Sequence, residues 1–163
     1  MAHHITIVEL RPDNWQRLRD IRLRALASDP QAFGATFETE SGFDESAWRS
    51  MLDKATFLTA VSDGGDVATM SIENLKGDFG TTCWIGGCWV APEVRGHGVM
   101  RAFMTHVDSQ AELRKWSRQG LGVWQDNFDA MAAYERLGFI KHGDPQPSTR
   151  QPGKFYQRMF RDA

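Results

Sequence analysis

The sequence predicts an α/β fold: one mixed sheet of about seven strands with four helices packed on it. Three observations lead there. Short apolar or β-branched runs alternate with runs of helical period in the order β-α-α-β-β-β-α-β-α-β-β. Glycine, proline and Asx residues fall mostly between those runs. The 163 residues hold no internal repeat or linker, so residues 1–163 are expected to be a single domain with a real core.

Each element has its own signal. Ile5 to Leu10 alternates weakly and is β-branched, which predicts a strand. Pro12 or Asp13 opens a helix with Trp15, Leu18, Ile21, Ala25 and Leu26 on one face, stopped near Asp29-Pro30 because a residue before proline leaves the helical region. Residues 31–42 read as a loop or short helical turn carrying Phe33 and Phe37. Asp44 caps a second helix to about Lys54. Thr56 to Ser62 and Val67 to Leu75 form a hairpin around Asp63-Gly64-Gly65-Asp66. A turn at 76–80 leads to a strand from Thr81 to Val90, closed by Pro92. A long helix is predicted from Gly98 to Arg118, with Met100, Phe103, Met104, Val107, Ala111 and Trp116 inward and Gly120 as its stop. Leu121 to Trp124 is a short strand, and Phe128 to Leu137 a helix ended by Gly138. Residues 139–143 and 155–160 form the last strands around a proline-containing loop, 144–153.

A formal net charge of −2 excludes a strongly basic nucleic-acid or membrane footprint. Arg11, Arg17, Arg19, Arg22 and Arg24 gather locally, but acids interrupt them, and a solvated helix face is expected. Cys83 and Cys88 share a strand, about 16 Å apart at roughly 3.3 Å per residue, too far for a disulfide. Two cysteines without ligand-spaced partners make no zinc site, so no metal is expected. The N-terminus carries no signal-peptide pattern and no apolar run of about 18 residues occurs, so a cytoplasmic location is expected.

The chemistry concentrates in two stretches. In Trp89-Val90-Ala91-Pro92-Glu93-Val94-Arg95-Gly96-His97-Gly98-Val99-Met100-Arg101 a strand ends, two glycines turn the chain and a helix starts at once. Such a turn aims unpaired N–H groups and a positive helix end at one point, an anion site suited to phosphate or pyrophosphate. Gly96 and Gly98 allow close backbone approach, while Arg95 and Arg101 add positive charge on either side. The lysine and Ser/Thr of a P-loop are missing, and so is the six-residue dinucleotide fingerprint. The second stretch, Trp124-Gln125-Asp126-Asn127 through Tyr134-Glu135-Arg136-Leu137-Gly138-Phe139, repeats strand, polar turn, helix and glycine stop.

Together, Val90-x-Pro92-x-x-Arg95-Gly96-His97-Gly98 and Asn127, Ala130, Tyr134-Glu135-Arg136-Leu137-Gly138-Phe139 resemble the two signatures of the GNAT superfamily of N-acetyltransferases, in the right order and roughly 30 residues apart. The resemblance covers nearly the whole chain. It implies a mostly antiparallel sheet whose fourth and fifth strands splay apart. Acetyl-CoA would be the co-substrate, with direct transfer to a primary amine in a ternary complex. It implies that the amides of His97, Gly98, Met100 and Arg101, within the turn that includes Val99, hold the pyrophosphate. Cys88, Trp89 and Val90 would pair with the pantetheine arm, and the Val90 amide would polarise the thioester carbonyl. Asn127 would contact the coenzyme arm and Tyr134 would face the sulfur as general acid. Met100 departs from the family's small residue at that position.

The family often places a glutamate base on the strand before the turn, and Thr81 to Trp89 contains no acid. Glu73 on the neighbouring strand is the candidate, directly or through water, with Asp126 second. An acyl-cysteine at Cys88 is disfavoured because no histidine is placed to activate it. Phe33, Phe37 and Trp84, with Trp48, are candidates to line the acceptor pocket. A non-catalytic acyl-CoA-binding or sensing module stays open beside the enzyme. The acceptor would be a small molecule or peptide, with no nucleic acid and no membrane as partner. Family members often form homodimers.

Overall fold

The computed structural model describes residues 4–77 and 79–163. Seven strands form one mixed sheet in the order β1-β2-β3-β4-β5-β7-β6. They are β1 (Thr6–Leu10), β2 (Thr56–Ser62), β3 (Gly65–Glu73), β4 (Cys83–Val90), β5 (Arg118–Trp124), β6 (Ile140–Pro147) and β7 (Phe155–Asp162). Among the described residues, five α-helices accompany them: α1 (Trp15–Ser28), the short α2 (Phe37–Ser41), α3 (Glu45–Lys54), α4 (Val99–Arg114) and α5 (Phe128–Arg136). The helix beyond the four expected is α2, within the stretch read as a loop or short helical turn, and Thr36 caps it by accepting from the Thr39 N–H at 3.2 Å.

The chain comprises two compact units. The first takes residues up to Glu73 together with Gly87–His106. In it β1, β2 and β3 pair antiparallel, with Leu10 opposite Phe57 and Leu58 opposite Met70. The hairpin forms as expected but on a shorter turn: Asp63 and Gly64, at positive φ (51° and 79°), are its two residues, so β3 starts at Gly65 and ends at Glu73, two residues earlier at each end than the expected Val67 to Leu75. Helix α3 starts where expected, Asp44 accepting from the Ala47 N–H at 2.9 Å. The apolar faces of α1 and α3 meet β1 and β2 in a cluster of Leu10, Leu18, Trp48, Leu52 and Phe57. Burial of each such side chain contributes about 1.5–3 kcal/mol. Trp48, a candidate pocket residue, is therefore core: it is fully buried and packs edge-on against Phe43.

The second unit takes Asn74–Gly86 and Val107–Ala163. Here β5 pairs antiparallel with β7, Leu121 opposite Met159, and β7 with β6. The parallel pair β4–β5 is set at Cys83↔Gln119 and Trp84↔Gly120, at the beginning of both strands. Cys83 is buried, which pushes its thiol up to about 12, and neither it nor Cys88 forms a disulfide.

Several boundaries correct the sequence reading. Helix α4 ends at Arg114, not Arg118, because Lys115 adopts the left-handed conformation (φ 62°) and the Trp116 N–H closes on the Ala111 carbonyl at 2.9 Å. Trp116 is buried beyond the helix, its Nε1 donating to Asn74 Oδ1 at 2.8 Å. Gly120 is not a helix stop but an interior residue of β5. A Cβ there would meet the Trp84 ring and Thr81 Cγ2 at 2.8 Å, so the glycine serves close packing. The last strands also run longer than expected, since β6 continues to Pro147.

Candidate active site

In the first unit the site is built on the end of β4. Gly87 takes φ 58° inside the strand, which breaks the pleat as a bulge does. A Cβ there would meet the tip of Arg22, Nη1, at 2.8 Å, and it is the left-handed conformation that selects glycine. Beyond it Cys88 and Val90 are half-buried and Trp89 is buried. A single helical turn, Pro92–Val94, then leads into Arg95.

The turn itself has the form an anion needs. Gly96 and Gly98 sit at φ 80° and 81°, and a Cβ on either would find nothing within 4 Å. That open space lies where a ligand could approach the backbone. The first bond into α4 runs from the Ala102 N–H to the Gly98 carbonyl at 3.0 Å. The amides of Val99, Met100 and Arg101 consequently have no carbonyl one turn back within the helix. These donors and the positive end of a 16-residue helix favour a phosphate group. Arg95, Gly96, His97, Gly98 and Arg101 are exposed, while Met100 is half-buried on the helix.

Arg95 does something else than flank the turn. Its Nε donates to the Val90 carbonyl at 2.8 Å and its Nη2 to Asp29 Oδ2 at 2.9 Å. The same Asp29 oxygen accepts from Trp89 Nε1 at 2.7 Å. Burial pushes the Asp29 carboxyl up, but hydrogen bonds from Trp89, Ser28 and Arg95 outweigh it, and the group is held below its ordinary range. Asp29 was not singled out in the sequence. The one local signal was an acid at a helix C-terminus, where the dipole disfavours it and a cationic partner is to be expected.

A second group escaped the sequence reading. Arg22, expected on a solvated face, makes a two-pronged ion pair with Glu40 at 2.7 and 2.9 Å, and both side chains are largely buried. Arg22 also lies over the Phe33 ring at 5.9 Å. Phe33 is buried and Phe37 exposed. Glu73 closes β3 as an exposed residue.

In the second unit Asn127 caps α5, its Oδ1 accepting from the Ala130 N–H at 3.2 Å. Asp126 beside it is exposed. Tyr134 is half-buried on α5 and packs edge-on against Phe139, with ring centroids 5.8 Å apart. Gly138 at φ 101° ends that helical segment as the motif requires. Trp84 packs against Phe79 across the two glycines of β5, Gly120 and Gly122. Among the described residues, no group of three or more His, Cys, Asp or Glu could hold a metal, and no helix is long and apolar enough to cross a membrane.

Residues 15–139 match the family model described as the Acetyltransferase (GNAT) family. The chain belongs to the GNAT acetyltransferase family. Solved structures agree on the fold. A GNAT-family acetyltransferase from Streptococcus pneumoniae superposes with a TM-score of 0.75 at 16% identity, covering 98% of this chain and 100% of that one. A ribosomal-protein-S5-alanine acetyltransferase from Vibrio fischeri gives 0.77 at 14% identity, covering 98% and 93%. The ribosomal-protein-S18-alanine N-acetyltransferase from Escherichia coli gives 0.68 at 19% identity, covering 98% and 94%. In this GNAT chain the sheet is open and mixed, with β4 parallel to β5. Family membership makes acyl transfer the general activity of the fold.

Proposed function

We propose that the protein is an acetyl-CoA-dependent N-acetyltransferase that acetylates a primary amine of a small molecule or peptide by direct transfer in a ternary complex. The observation that carries this reading is the turn from Arg95 to Arg101. It has two left-handed glycines with open space beside them and three helix-start amides without intrahelical partners.

Coenzyme A fits that set of donors through its pyrophosphate, and when bound it supplies an activated acetyl thioester. The amides of His97, Gly98, Met100 and Arg101 hold the phosphates, with Val99 shaping the helix start and the exposed Arg101 adding charge. Cys88, Trp89 and Val90 offer a strand edge to the pantetheine arm, displaced by the Gly87 kink from a regular pleat. The Val90 N–H is the donor for a carbonyl oxygen that gains negative charge when the amine attacks. Asn127 contributes its side-chain N–H groups. Tyr134 donates a proton to the departing sulfur, and Glu73, directly or through water, accepts one from the amine. Phe33, Phe37 and Trp84 are assigned to the acceptor side.

Structural relatives include ribosomal-protein alanine acetyltransferases, which supports a peptide amine as one acceptor class. Thiol release from acetyl-CoA, measured against a panel of small amines and N-terminal peptides, tests the reading. Amine-dependent release together with an acetylated product supports it. Tight coenzyme binding with no release in any mixture favours a sensing module instead.

A further inference from the structure

We propose that Asp29 is a positioning residue for the turn that receives the coenzyme, acting through Arg95 and Trp89; this rests on the coenzyme reading of that turn. One oxygen, Oδ2, accepts from Trp89 at 2.7 Å and from Arg95 at 2.9 Å. Trp89 is the penultimate residue of β4 and Arg95 opens the glycine turn, so a single carboxylate ties the strand to the turn that follows it. The guanidinium completes the brace by donating to the carbonyl of Val90, the last residue of β4.

Asp29 is itself well anchored. Its own N–H donates to the Ala25 carbonyl at 3.0 Å as the cap of α1, and Pro30 follows it. Arg24 also lies over the Trp89 ring, its guanidinium 5.3 Å from the ring centroid, and donates to the Asp66 carbonyl at 2.8 Å. An acid at a helix C-terminus opposes the helix dipole, so the fold retains a locally unfavourable charge. The ion pair it makes runs to the coenzyme turn. Arg95 is thereby directed to the strand, and the phosphates are left to backbone amides, whose positions depend on the brace. A preorganised donor set loses affinity when its support loosens, even though no ligand contact is deleted.

The test compares Asp29→Ala, Asp29→Asn, Arg95→Ala and the Asp29→Ala/Arg95→Ala double variant. Amide hydrogen exchange in the ligand-free protein is read at Val94, Arg95 and Ala102, whose N–H groups are bonded in this turn. Leu58 and Thr59 in β2 report global opening. Exchange at the turn should speed up on the order of tenfold in Asp29→Ala while β2 is unchanged, since hydrogen bonds to a charged group are the strong ones. Coenzyme A affinity by calorimetry should weaken about tenfold. The double variant should be no worse than Arg95→Ala, because the two act as one unit.

Unchanged exchange at the turn, or losses that add in the double variant, would overturn the proposal. If Asp29→Ala does not fold, Asp29→Asn decides by the same exchange measurement. A parent protein that binds no coenzyme A, with turn exchange still accelerated in the variants, removes the coenzyme reading and leaves the brace standing.

Discussion

Gly98→Ala separates backbone strain from ligand approach, because the structure supplies its own control. Gly98 has φ 81° and Gly64, in the β2–β3 hairpin, φ 79°; a Cβ on either meets nothing within 4 Å. The intramolecular cost of alanine should therefore be the same at both, about 1–2 kcal/mol for placing an L-residue in the left-handed region. For a chain of this size that lowers the melting temperature by about 2–8 °C. Only at position 98 does the added methyl enter the space beside the helix-start amides. Displacing a phosphate from one charged hydrogen bond costs about 1.5–3 kcal/mol, or roughly 10- to 150-fold in affinity. Scanning calorimetry of both variants, with titration calorimetry of coenzyme A, checks the comparison. Equal coenzyme affinity in Gly98→Ala and Gly64→Ala would refute the argument that the open space at Gly98 belongs to a ligand. A bulkier Gly98→Trp should abolish binding.

Three further predictions follow from named groups. Tyr134→Phe keeps the ring against Phe139 and should leave coenzyme affinity unchanged, while turnover falls on the order of 10²-fold or less. The tyrosine hydroxyl is a weaker acid than a thiol by about 1.5 pH units, or ~2 kcal/mol, so the loss should shrink with a donor whose thiol is more acidic. Glu73→Gln should lower the turnover rate without changing coenzyme affinity, and a rate matching the parent would hand the role to water or to Asp126. Asp108, hydrogen-bonded by Arg161 at 2.7 Å through both oxygens, is held below its ordinary range against the opposing effect of partial burial. A depressed carboxylate stabilises the fold above its unfolded pKa of about 3.9 and loses that contribution as pH falls through the folded value. The melting temperature of Asp108→Asn should therefore be lower near neutrality and fall less between roughly pH 5 and pH 2 than that of the parent.

The elements legible in the sequence were those whose cause is local. Asp44 caps α3, Asp63-Gly64 turns the hairpin and Gly138 stops the α5 segment because each acts on backbone within a few residues of itself. Gly96 and Gly98 in the turn before α4 belong to the same class, since a left-handed φ is a property of one residue and its neighbours. Boundaries failed where a residue does what its type rarely does. Lys115 ends α4 in a conformation usually left to glycine, and Gly120, which looks like a breaker, lies in β5 because Trp84 occupies the space of its side chain.

The sequence by itself therefore determined the order of the main elements, the family and the glycine turn after β4, all of which are written in contiguous residues. Only the tertiary structure decided which polar side chains act at that turn. Asp29 reaches Trp89 and Arg95 across 60 and 66 residues, and Arg22 reaches Glu40 across 18. A charge run reads as solvated until the fold buries part of it, and burial then requires a partner such as the one Arg22 and Glu40 give each other at 2.7 Å. Such pairings depend on where helices α1 and α2 and strand β4 come together, and no local pattern of charge or period encodes that meeting.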